Sequence, residues 1–298
     1  MSRNERKGSA YIIVAALLWS TGGLLIKSVT LDGFGVSLWR STFSAMTLYI
    51  IYRRTFANDR SQHSTQWFSK RTIVTAFVYA ALLVLFVLAT KLTTSANAIF
   101  LQYTAPVYVL FVEPIISKTK LHTSDIVSVA ITIAAMALFF IGKFDTSSVL
   151  GNIFALTSGI CFAAYALLLK HESTSELMRW QSVILGHLII VALMLILWIL
   201  RVTSPIPSNA AQGAELIYLG VFQIGVAYAL FTTGIHYIRA LDAMLLSMIE
   251  PVLNPVWVYL GIGESPTRYA IAGGLVILAV SAYRTWRTNR IQPLKEAR

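Results

Sequence analysis

The chain has 298 residues, of which 56% are hydrophobic and only 12% charged, with a mean hydropathy of +0.69 and a formal charge of +11. Soluble domains carry about 25% charged residues, so a soluble Rossmann or TIM-barrel enzyme and a disordered chain are both excluded. Cys161 is the only cysteine, which excludes an internal disulfide and a cysteine-built zinc site.

In chain order, ten apolar stretches are long enough to cross about 30 Å of hydrocarbon as helices. They cover residues 10–29, 34–53, 72–91, 94–116, 123–142, 150–170, 180–200, 214–235, 240–262 and 266–284. The runs are continuously apolar and do not alternate, so they predict helices rather than barrel strands. The fold class expected is an all-α polytopic membrane protein. The first stretch follows Arg3, Arg6 and Lys7 but is too long for a secretory h-region, and no A-x-A cleavage signal follows it. It reads as a retained span.

If the N-terminus is cytoplasmic, 18 basic residues fall in inside segments and five outside. This positive-inside bias predicts that both termini are cytoplasmic. It also accounts for the basic charge through anionic lipid, with no nucleic acid as partner. The connections are short, the longest being 54–70, so no soluble catalytic or sensing domain is expected.

The halves carry a weak repeat. A shift of 143 matches Gly8 with Gly151, Leu24 with Leu167, Leu25 with Leu168 and Lys27 with Lys170. A shift of 145 matches Ala98 with Ala243, Leu101 with Leu246, Pro106 with Pro251 and Val107 with Val252. Five spans per half is an odd number, so the second half is expected upside down relative to the first, as suits alternating access about a central site. The domains expected are 8–142 and 150–285, followed by a basic cytoplasmic tail at 286–298.

Ala16-Leu17-Leu18-Trp19-Ser20-Thr21-Gly22-Gly23 with Lys27 resembles the opening helix of EamA-type transporters of the drug/metabolite transporter superfamily. Leu38-Trp39-Arg40 resembles that family's second-helix arginine, and Leu101-Gln102-Tyr103-Thr104-Ala105-Pro106-Val107 its fourth-helix proline motif. Ser247-Met248-Ile249-Glu250-Pro251-Val252, with Gly263-Glu264 beyond it, resembles the matching motif of the second half. The first half departs from the pattern, with Thr119 between Lys118 and Lys120 where an acid is expected. The resemblance implies a ten-helix transporter of small metabolites, commonly an exporter, and leaves the substrate open.

Ionisable groups inside a span are costly and so mark candidate sites. Glu250 lies near mid-membrane beside Pro251, which frees a backbone carbonyl. Helical spacing sets Ser247, Glu250, Pro251, Asn254 and Trp257 on one stripe. Glu250 is expected to take up a proton or hold a cationic group; locked to Arg40 or to helix ends, it would instead be structural. Gln102 and Tyr103 sit near the midplane with Pro106 on the same helix. Glu113 falls near the inner end, within reach of headgroups. Arg40 is close enough to the outer end to snorkel, to orient its helix, or to hold a carboxylate. Trp19 and Ser20, and Tyr228, Thr232 and His236, form further stripes that serve packing or line a site. His187 reads as a packed or hydrogen-bonded residue, the alternative being a proton relay.

No metalloprotease, dinucleotide or phosphate-loop motif occurs, so no enzymatic activity, cofactor or metal is expected. The function expected is a secondary carrier, an exporter, for small polar metabolites. Amino acids or related zwitterions lead, because Arg40 alone is too little intramembrane cation for phosphorylated sugars. Protons or exchange would drive it; the alternative is a passive channel on the same scaffold. Absent retrieval, glycosylation and transit signals point to a bacterial cytoplasmic membrane, and a monomer is the default.

Overall fold

The computed structural model describes residues 3–56, 66–138, 148–262 and 267–291, and the regular structure among them is helical throughout. The helices are α1 (Arg3–Trp19), α2 (Gly22–Ser28), α3 (Gly33–Thr55), α4 (Lys70–Leu92), α5 (Ser95–Gln102), α6 (Ala105–Ile116), α7 (Thr123–Leu138), α8 (Val149–Lys170) and α9 (Glu176–Ile199). They continue as α10 (Ala210–Tyr218), a π-helical segment (Leu219–Val226), α11 (Ala227–Gly234), α12 (Ala240–Ser247), α13 (Ile249–Ile262) and α14 (Arg268–Ile291).

Seven helical runs are long and apolar enough to cross a membrane: Asn4–Ser28, Lys70–Leu92, Ser95–Ile116, Val149–Lys170, Glu176–Ile199, Ala210–Gly234 and Ala240–Gly261. The other three expected spans fall on helices that are shorter or more polar. The described part of α7 has 16 residues. Helix α3 carries Arg40 among serines and threonines, and α14 carries Arg268 and Arg284.

Side-chain caps fix where many helices begin. Asp32, Ser69, Thr94, Ser148, Ser175 and Asn209 each accept from a backbone N–H three residues on, satisfying donors that the first turn leaves free. Four of the long runs are interrupted part-way. The first breaks at Ser20 and Thr21, whose hydroxyls donate to the carbonyls of Leu17 (2.6 Å) and Leu18 (2.8 Å). The run Ser95–Ile116 breaks at Tyr103 and Thr104, just before Pro106, and Ala240–Gly261 breaks at Met248, just before Pro251. The run Ala210–Gly234 widens into the π-helical segment.

Packing brings these interruptions together. Helix α4 lies chiefly against α8 and α9, α3 against α9 and the π-helical segment, α1 against α11, α6 against α12 and α8, and α7 against α14. Where helices approach closely the residue is small: a Cβ on Gly159 would stand 2.6 Å from the Gln102 carbonyl oxygen. Large apolar side chains such as Phe77, Phe111, Leu195 and Leu275 stay exposed on the outside, as a face turned to lipid would require.

Candidate functional site

The interrupted helices surround a small cavity of about 20 Å³. Its polar lining is Arg40 from α3, Gln102 from the end of α5, Gln223 from the π-helical segment and Glu250 from α13. Its aromatic and apolar lining includes Trp19 from α1, Leu83 and Phe86 from α4, Phe162 from α8, and Tyr228 from α11. The Trp19 ring packs on Tyr228 and Phe162, at centroid distances of 4.8 and 5.9 Å.

Arg40 is only 4% exposed, so it does not snorkel to a headgroup as its place near a helix end suggested. Its Nε and Nη2 both donate to Gln223 Oε1, at 3.1 and 2.8 Å, and Gln223 Nε2 in turn donates to the Trp19 carbonyl at 3.3 Å. Among the described residues no carboxylate lies within ion-pair distance of this guanidinium. Glu250, 5% exposed, is bound instead by the Tyr103 hydroxyl at 2.8 Å. The expected alternative of a Glu250–Arg40 lock is therefore not what the structure contains. The Trp19 indole N–H, also buried, has no acceptor among the described residues.

Of the residues singled out from sequence, Trp19, Arg40, Gln102, Tyr228 and Glu250 line the cavity. Tyr103 binds Glu250 from just behind it. Ser20, Asn254 and Trp257 meet one another at the contact of the first and ninth expected spans. There Trp257 Nε1 donates to Ser20 Oγ (2.7 Å) and Asn254 Nδ2 to the Ser20 carbonyl (3.3 Å). Ser247 contributes its carbonyl, since its hydroxyl is returned to the Ala243 carbonyl, and Pro106 is buried in the first turn of α6. Gln102 is held by Ser158 at 2.8 Å. Sequence reasoning missed Gln223, although it is the one amide in the otherwise apolar stretch Leu219–Phe231 and is flanked by Gly220 and Gly225.

Other candidates lie elsewhere. Thr232 meets the Tyr165 hydroxyl at 3.4 Å, and His187, whose Nε2 pairs with the Tyr79 hydroxyl at 2.9 Å, lines a second cavity that shares Arg40 with the first. His236 stands in the connection before α12, where burial, then Arg179 and Lys170, hold its imidazole below the usual range. Glu113 does not reach for headgroups. It is buried, accepts from the backbone N–H groups of Ala240 and Leu241, and lies 3.6 Å from Arg239. Arg239 also pairs with Asp125 at 3.0 Å, and Arg284 joins Asp125 (2.8 Å) to Asp242 (2.6 Å). Burial would lower the Arg239 guanidinium, but Asp125, Asp242 and Glu113 outweigh it and hold it above its ordinary range. Gly263 and Glu264 lie outside the described residues, as does the tail from 292 onward.

Comparison with known proteins bears on this arrangement. The family model described as the EamA-like transporter family matches residues 6–141 and 149–283. An "Uncharacterized transporter" of Archaeoglobus fulgidus is 25% identical over 278 residues, covering 93% of this chain and 96% of that protein. "Uncharacterized transporter YwfM" of Bacillus subtilis is 27% identical over 262 residues, covering 86% of each. A solved crystal structure superposes with a TM-score of 0.77 at 17% identity, over 96% of this chain and 100% of that one, which speaks to the fold alone.

Proposed function

The chain belongs to the EamA-like transporter family, and from that premise we propose that it is a secondary carrier for small zwitterionic metabolites, amino acids or their relatives. The observation that carries this reading is the cavity at the helix interruptions, where a buried Arg40 with no carboxylate partner among the described residues faces the same space as Glu250. A buried cation calls for an anion, and the unpaired Trp19 N–H calls for an acceptor. A substrate carboxylate answers both, in the bidentate geometry that a guanidinium favours.

Alternating access by two inverted five-helix halves is the mechanism we favour, and reciprocal contacts support it. Lys27 Nζ donates to the Thr93 carbonyl at 2.7 Å, and Lys170, 143 residues on, donates to the His236 carbonyl at 2.8 Å, also 143 residues on. Gly151 packs on Thr93, while Gly8 packs on Gly234 and Tyr237. Each half thus seats the start of its first helix on the other half's corresponding connection. With ten spans and both termini inside a bacterial cytoplasmic membrane, the carrier exports its substrate using a proton gradient or exchange.

The test is counterflow in proteoliposomes loaded with a metabolite extract, followed by mass spectrometry with and without an imposed pH gradient. Saturable release of one compound class, reduced at least tenfold in Arg40→Gln, is the expected result. Non-saturating leakage of many solutes would overturn the carrier and favour a channel.

A further inference from the structure

Pro251 has no N–H to offer the Ser247 carbonyl four residues before it, so the helix leaves that oxygen free. The Tyr103 hydroxyl occupies the vacant direction, 2.8 Å from the Ser247 oxygen and 2.8 Å from Glu250 Oε2. A phenol has one proton to donate. A carbonyl only accepts, and so does an ionised carboxylate. With Glu250 charged, one of these two short contacts would set lone pair against lone pair at a buried position. A proton on Oε2 removes the conflict: Glu250 donates to the Tyr103 oxygen, and Tyr103 donates to the Ser247 carbonyl.

We infer that Glu250 carries a proton in this conformation, and that Tyr103 is the positioning residue through which that proton ties the fourth expected span to the ninth. The location of the proton follows from hydrogen-bond counting. Its part in exchange rests on the transport reading of the same cavity. The surroundings agree with a neutral acid. Arg40 shares the cavity, and an ionised Glu250 would be drawn to it; the guanidinium instead spends two N–H groups on Gln223, with no carboxylate in contact among the described residues.

Among the described residues, no helix packed against α13 brings a second charge into contact with Glu250. Helix α1 presents Trp19, α5 and its end Gln102 and Tyr103, and α11 Tyr228. Of the further helices against α13, α2 spends Lys27 on the Thr93 carbonyl, and α14 spends Arg284 on Asp125 and Asp242. When the proton leaves to water, Tyr103 faces two acceptors with one proton and must release one. The link between the two interrupted helices then loosens at the cavity wall, which makes deprotonation an opening signal.

Infrared difference spectroscopy of the full chain in liposomes, across a pH step, reads the carboxylic-acid carbonyl stretch directly. The wild type at neutral pH is expected to show a buried protonated-carboxyl band that is lost in Glu250→Gln and displaced in frequency in Tyr103→Phe. Glu250→Gln keeps a donor for Tyr103 and is expected to melt close to the wild type, so loss of the band cannot be put down to misfolding. The inference is overturned if wild type and Glu250→Gln give the same carboxylic-acid bands at neutral pH, or if Tyr103→Phe leaves the Glu250 band where it was. Counterflow on the same vesicles is read separately. Exchange without the band overturns the proton and leaves transport standing; the band without exchange supports the proton and removes the transport reading.

Discussion

Arg40 lines the cavity with its guanidinium held by the Gln223 amide oxygen. Read along the chain, it sits some six residues from a helix end, where a long side chain ordinarily reaches the interface. Folded, it turns inward because Gln223, 183 residues away, offers an acceptor that satisfies two of its donors. Hydrogen bonds to a charged group contribute about 1.5–3 kcal/mol, and removing the neutral partner leaves the charge buried and unsatisfied. Gln223→Leu is therefore expected to destabilise the protein by about 2 kcal/mol, read as a lower melting temperature in detergent. Gln223→Glu is expected to recover the stability and yet abolish exchange, because it hands Arg40 a permanent carboxylate where the substrate's should go. Exchange at the wild-type rate in Gln223→Glu would show that Arg40 does not bind the solute. The partnership was invisible in sequence because a lone glutamine in an apolar run has no periodicity to announce its direction.

At the scale of the element, the site exists because four long helices are interrupted at similar depth. Two of these interruptions were legible: Pro106 and Pro251 occupy matched positions in the repeat, and proline both removes a donor and disfavours a regular helix before it. The other two were passed over. Ser20 and Thr21 bond their hydroxyls to carbonyls three residues back just before Gly22-Gly23, a pair of poor helix formers that the length of the apolar run hid. The π-helical segment Leu219–Val226 contains no proline; Gly220 and Gly225 there press on Phe43 and Thr47 of α3 so closely that tertiary contact, not local propensity, decides its shape. Pro251→Ala separates local from tertiary causes. It restores an N–H to the Ser247 carbonyl and lets the helix run through, so Tyr103 loses its acceptor there. Melting temperature is expected to hold or rise, while counterflow falls at least fivefold. Lower stability with undiminished exchange would mean that the break serves packing alone.

For the whole molecule, length and charge sufficed to predict an all-helical membrane protein, and short motifs in order sufficed for the family. What sequence could not supply is how the halves meet, because those contacts are made by carbonyls and glycines that carry no compositional signal. Two of them form a mechanical test of rocking. At one end of the bundle a Cβ on Gly8 would stand 2.7 Å from Tyr237 Cβ; at the other, a Cβ on Gly151 would stand 3.0 Å from Thr93 Cβ. Both separations need a few tenths of an ångström of relaxation or more to reach the roughly 3.5–4.5 Å of a disulfide, and neither requires a long excursion. With Cys161 replaced by alanine, the pairs Gly8→Cys with Tyr237→Cys and Gly151→Cys with Thr93→Cys are each expected to cross-link on mild oxidation. If the halves rock, one of these two ends must separate whenever the cavity opens, so each bond is expected to stop counterflow and a reductant to restore it. A channel on the same scaffold needs no such separation. Flux that persists through both closed disulfides would therefore remove alternating access while leaving the cavity, and the residues that line it, as they stand.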